Sequence, residues 1–158
     1  MKRLMIGVVA LTALVIGTAT LALAAGASLP KGYARWERSA QKMVTDKNSL
    51  FYGIHYTYVD KKAMPAFKKG GAYPEGSRFV VEFFSIKDKG GKPVAGKKNM
   101  IVLMKKDKRQ KATGGWLFAG FNANGSPSGI DPVKNCYECH LKEAGKTDLV
   151  FSKFSDFR

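Results

Sequence analysis

The amino-acid sequence predicts an α+β domain in which a mainly antiparallel β-sheet carries a few helices, and three observations predict it. Four segments rich in branched and aromatic residues recur through the middle of the chain, the links between them are short, and two helix-like stretches flank the first of them. The 158 residues favour one domain over two. With 45% hydrophobic and 25% charged residues, the composition excludes a wholly disordered chain, a collagen-like repeat and a multi-span membrane protein.

The first element precedes the domain. Met1-Lys2-Arg3 is a basic start, followed by an uncharged, mostly apolar run over residues 4–27 with small-residue patterns at Ala22-Leu23-Ala24 and Ala25-Gly26-Ala27. This reads as a secretory signal over residues 1–27, the competing reading being an uncleaved N-terminal anchor, since the run is long enough to span a bilayer. Residues 28–158 are then an exported, periplasmic or similarly placed, domain. In 33–47, Trp36, Ala40 and Met43/Val44 recur at helical spacing between Arg and Lys, which predicts an amphipathic helix. Residues 50–59 (LFYGIHYTYV) read as a strand; Asp60 caps a short helix through Phe67 that stops at Gly70-Gly71, and Tyr73-Pro74-Glu75-Gly76 forms a turn. Residues 78–86 (RFVVEFFSI), 99–104 (NMIVLM) and 115–121 (GWLFAGF) are three further strands, the first two joined by a Gly/Lys loop. Both faces of 78–86 are apolar except at Glu82, so the sheet is covered on both sides. Helices cover one, and the C-terminal third or a partner covers the other.

The chemistry lies in Cys136-Tyr137-Glu138-Cys139-His140. C-x-x-C-H is the spacing for covalent haem c attachment: Cys136 and Cys139, one helical turn apart, reach the two vinyl groups, and His140 becomes the proximal iron ligand. These are the only two cysteines of the chain. A thioredoxin-like pair fits less well, because its C-x-x-C follows an early strand in a βαβ pattern. A zinc site would need further ligands, and His55 is the one other histidine. No methionine follows His140, which disfavours a His/Met cytochrome. Met64, Met100 and Met104 precede the motif, Met100 and Met104 in an apolar strand where a core role is the simpler account. His55 could ligate iron, hydrogen-bond a small ligand or act catalytically, against the plainer role of a structural histidine. The expectation is one five-coordinate haem c with an apolar distal side walled by Phe51, Phe79, Val81 and Phe83, whose alternative is ordinary core.

The series Tyr33-Ala34-Arg35-Trp36, Tyr58-Val59-Asp60, Tyr73-Pro74-Glu75-Gly76-Ser77, Lys106-Asp107, Gly114-Gly115-Trp116-Leu117-Phe118, CYECH and Asp148-Leu149-Val150-Phe151 resembles the cytochrome P-460 and cytochrome c′-beta family over residues 33–154. The resemblance implies a mainly antiparallel β fold with a few helices, commonly a homodimer, with one haem c near the C-terminus. It also implies two diverging functions. Cytochromes P-460 carry a lysine-to-haem bond and oxidise hydroxylamine; cytochromes c′-beta lack it and bind nitric oxide and carbon monoxide behind a phenylalanine cap. The lysine position corresponds to Val81, no lysine occurs in 78–86, and Phe51 matches the distal phenylalanine. The gas-binding branch is therefore the leading expectation, hydroxylamine oxidation with electrons passed to a cytochrome partner the second, and simple electron transfer by a six-coordinate haem the third.

The formal charge is +15. Residues 87–111 hold ten Lys/Arg against two acids, either a solvated strand edge or a docking patch for an acidic redox partner or an anionic membrane surface. Nucleic acid is not expected as a partner of an exported haem protein, and no phosphate loop, dinucleotide fingerprint, paired-carboxylate site or serine triad is visible.

Overall fold

A computed structural model describes residues 27–157 of the chain. The secretory-signal reading, Ala27 apart, lies outside the described residues.

Six strands form one antiparallel sheet: β1 (Glu37–Arg38), β2 (Lys42–Val44), β3 (Gly53–Val59), β4 (Arg78–Lys89), β5 (Lys92–Lys106) and β6 (Trp116–Asn122). The order is β1-β3-β4-β5-β6, with β2 pairing to β3 on the same edge as β1. Helix α1 is Met64–Lys69 and α2 is Glu138–Ala144, the latter preceded by a π-helical turn, Val133–Tyr137.

The expected amphipathic helix over 33–47 is not formed. A 3-10 turn at Tyr33–Arg35 is followed by β1 and β2, because the edge of β3 offers unpaired backbone groups to this segment. Where β1 gives way to β2, the Ser39 N–H donates to the Thr57 carbonyl (2.9 Å) and the Ser39 hydroxyl accepts the Thr57 N–H (3.0 Å). Three apolar anchors at helical spacing are a weak preference beside that ladder.

The other elements follow the sequence more closely. The Asp60 carboxylate accepts the Ala63 N–H at 2.8 Å at the entry to α1, and the helix ends at Gly70 with φ +77°. Strand β3 begins at Gly53, later than the apolar run suggests, since Leu50 and Phe51 lie in a turn. Gly53 has φ +137°, and a Cβ there would stand 2.3 Å from the Phe84 carbonyl oxygen, so β3 and β4 approach more closely than any side chain allows. The Gly/Lys loop expected after β4 is instead a continuation of both strands to a two-residue turn, with Gly90 and Gly91 at φ +63° and +77°. A register shift around Phe84 and Ile86 marks where this hairpin leaves the sheet.

One face of the sheet, with Val59, Phe79, Met104, Trp116 and Phe118, packs against α1, the C-x-x-C-H segment and residues 149–157. Trp116 and Phe118 are 0% and 1% exposed, and burying each such side chain is worth about 1.5–3 kcal/mol. The other face, with Tyr58, Val80, Ile101, Leu103, Ala119 and Phe121, is met by residues 27–36 through Leu29, Tyr33 and Trp36. The C-terminal third thus covers one face and the N-terminal segment the other. The acid on this second face, Glu82, accepts hydrogen bonds from the hydroxyls of Tyr33 (2.8 Å) and Tyr58 (2.9 Å) and pairs with Lys98.

Candidate functional site

Alternation along three neighbouring strands turns Phe79, Val81 and Phe83 of β4 to the same side as His55 and Thr57 of β3 and Val102 and Met104 of β5. These residues form one wall of a cavity of about 360 Å³. Val44, Ser49 and Phe51, with Asn135, Cys136, Cys139, His140, Val150, Phe151 and Ser152, line the remainder. Every site residue expected from the sequence, namely Phe51, His55, Phe79, Val81, Phe83, Cys136, Cys139 and His140, borders this one space. Met104 lines it too, whereas Met64 and Met100 are not among its lining residues.

The segment that carries the cysteines is built locally. The Asp131 carboxylate accepts the N–H groups of Val133 (2.8 Å) and Lys134 (3.1 Å), and Pro132 opens the helical turn, whose missing N–H is no loss there. The π-helical turn then passes into α2 inside the C-x-x-C-H sequence, so Cys136 is buried and Cys139 exposed, and both thiols are free. Burial pushes the Cys136 thiol up to about 12, helped by the Asp131 and Cys139 charges. That is opposite to the depressed thiol of a redox C-x-x-C pair.

His140 is held on three sides. Its ring lies 5.0 Å from Phe118 and 4.5 Å from Phe151 between centroids, and its Nδ1 is 2.6 Å from the Leu149 carbonyl oxygen. A carbonyl only accepts, so Nδ1 carries the proton and Nε2 keeps its lone pair. Burial lowers the pKa of His140 and outweighs the opposing Leu149 bond, which favours the neutral imidazole. A neutral imidazole with a free Nε2 is the form that ligates a metal.

Another part of the cavity lining is aromatic. Phe51 and Phe83 lie 5.1 Å apart, and His55 lies 5.5 Å from Phe83. Burial, with the nearby Lys42 charge, lowers the pKa of His55, and its Nδ1 is buried with no hydrogen-bond partner in the described structure. Among the described residues lining the cavity there is no lysine.

The family model for cytochrome P460 matches residues 30–152. The chain belongs to the cytochrome P460 family. Membership implies a c-type haem protein, and the donor set of the cavity fits that group: two cysteines one turn apart, a neutral histidine with an available nitrogen, and apolar walls. No relative was found among curated proteins. Sequence reasoning about this cytochrome P460 domain did not single out Thr57, Ser152 or Asp148 as site residues. Ser152 donates to the Thr57 hydroxyl at 3.2 Å between two residues that line the cavity, and Asp148, within the D-L-V-F segment, directly precedes Leu149, whose carbonyl meets His140 Nδ1.

Proposed function

We propose that this chain is an exported monohaem c-type cytochrome whose five-coordinate haem binds small uncharged ligands such as nitric oxide. The observation that carries this reading is that the C-x-x-C-H residues and an aromatic, lysine-free wall border a single cavity. The haem would supply an iron with an open coordination position. Cys136 and Cys139 would anchor the group, His140 would present Nε2 to the iron, and Phe51, Phe79, Val81 and Phe83 would keep water and larger anions out of the cavity. Val81, at the position corresponding to the crosslinking lysine, has no group that could bond to the haem. Titrating the reduced protein with nitric oxide tests the reading: a stoichiometric optical change supports it, and no change refutes it.

His55 favours a second reading. Its unpartnered Nδ1 and lowered pKa make it a neutral base beside the cavity, suited to taking a proton from hydroxylamine or a related nitrogen compound. Sustained turnover of hydroxylamine with an electron acceptor, lost in His55→Phe, would favour this reading over ligand binding alone. His55 and Met104 are also the side chains available for a six-coordinate electron carrier, which a low-spin ferric spectrum would reveal. For electron exchange, the exposed Lys87, Lys89, Lys92 and Lys97 of the projecting hairpin are the docking face for an acidic redox partner. Lys98, Lys106 and Arg109 of the same basic stretch are engaged with Glu82, Asp148 and Asp107.

A further inference from the structure

Two consecutive non-glycine residues, Asp148 (φ 48°) and Leu149 (φ 66°), occupy the left-handed region. Each such residue costs on the order of 1–3 kcal/mol and persists only where its surroundings hold it. The pair is held by the Leu149 N–H donating to the Ala144 carbonyl (2.9 Å), by the Val150 N–H donating to the Thr147 carbonyl (3.1 Å) and by the Asp148 carboxylate. Its Oδ1 accepts from Lys106 Nζ at 2.6 Å and from Trp116 Nε1 at 3.2 Å, and its Oδ2 accepts from Lys106 Nζ at 2.8 Å and from the Tyr73 N–H at 2.9 Å. Lys106 also lies over the Trp116 ring, 4.8 Å from its centroid. One carboxylate thus ties the turn to β5, to β6 and to the segment before β4. The next residue's carbonyl is the acceptor for His140 Nδ1.

We propose that Asp148 is a positioning residue for His140: by fixing the backbone at 148 and 149 it aims the Leu149 carbonyl at Nδ1, which sets the ring's tautomer, its orientation and the donor strength of Nε2. A hydrogen bond from the far ring nitrogen makes a ligating imidazole more basic. A well-aimed Leu149 carbonyl therefore strengthens the bond from His140 to iron and favours the oxidised state. Lys106 and Trp116 act one step further back, by holding Asp148.

This inference rests on the haem reading, and its test separates the two. Wild type, Asp148→Asn, Asp148→Ala and Lys106→Met are prepared with haem, together with Tyr33→Phe, which removes the hydrogen bond to Glu82 on the opposite face of the sheet. The iron–histidine stretching frequency of the ferrous form, the midpoint potential and the thermal unfolding temperature are then measured. Asp148→Ala and Asp148→Asn should lower the stretching frequency and raise the potential, and Lys106→Met should do the same to a smaller degree. Tyr33→Phe should lower only the unfolding temperature. If the Asp148 variants fail to take up haem, Lys106→Met, which leaves the carboxylate and its other donors in place, decides the matter. Loss of thermal stability in the 148 and 106 variants with unchanged frequency and potential would overturn the positioning role and leave the haem reading standing. A wild-type chain without covalent haem would overturn both.

Discussion

Glu82 shows how a single acid is accommodated within an apolar strand. Burial alone would raise its carboxyl pKa, but hydrogen bonds from Lys98, Tyr33 and Tyr58 outweigh burial and lower it. A carboxyl depressed in the folded state contributes stability that is present above its unfolded value and lost as pH falls through the folded one. Glu82→Gln should therefore cost about 1–3 kcal/mol near neutrality, the range for disrupting a buried charged hydrogen-bond group. The gap to wild type should narrow as pH falls below about 4, where free glutamates protonate. Chemical unfolding at several pH values checks this, and a gap independent of pH would contradict it. On the cavity side, Phe51 is packed against Phe83 at 5.1 Å and lines the cavity beside it. Phe51→Ala should speed carbon monoxide association by roughly tenfold, equivalent to about 1.4 kcal/mol off the barrier. Flash photolysis would measure this, and an unchanged rate would remove Phe51 from the ligand's path.

At the scale of elements, the strands were readable because their apolar and aromatic runs are long enough to have one plausible period. The ends were less so. Residues 87–98 look like a Gly/Lys loop by composition, yet Gly90-Gly91 is also a two-residue hairpin turn, and the strands run up to it. In residues 33–47 the spacing of Trp36, Ala40 and Met43 suits a helix, while the competing edge of β3 is a tertiary fact that the segment's own sequence does not contain. The C-x-x-C-H ligands were readable for the opposite reason, since their spacing is the local geometry of the attachment. The gathering of His55 with the β4 residues follows from strand parity; Phe51 lines the same cavity from the turn before β3, where parity does not apply, and Asp148 acts through partners 42 and 75 residues away. The close approach of β3 and β4 supplies a further expectation. Gly53→Ala places a Cβ 2.3 Å from the Phe84 oxygen at a left-handed φ and should cost about 2–4 kcal/mol, combining overpacking with backbone strain. Gly91→Ala, with nothing within 4 Å, meets the backbone strain alone and should cost about 1 kcal/mol. Equal losses in urea unfolding would show that the close approach carries no weight.

Across the whole molecule, the sheet separates two tasks. Its one face, with the C-terminal third laid over it, encloses the cavity that Cys136, Cys139 and His140 line together with Phe51, Phe79 and Phe83. Its other face is closed by residues 27–36 and pinned through Tyr33 to Glu82. Lys98 and Lys106 are engaged with Glu82 and Asp148, while Lys87, Lys89, Lys92 and Lys97 of the β4–β5 hairpin are exposed, as are Lys61, Lys62, Lys108, Lys111 and Lys134 elsewhere on the surface. The central claim, a haem c held by two thioether links with an open position facing an apolar pocket, is tested most directly on one sample. The measurement is an optical spectrum of the purified ferrous protein before and after carbon monoxide, together with the mass of its haem peptide. An ordinary high-spin haem c spectrum that shifts with carbon monoxide, and a peptide with only the Cys136 and Cys139 links, is the predicted result. A strongly red-shifted Soret band with an additional side-chain-to-haem bond would contradict it and make the protein a hydroxylamine-oxidising enzyme.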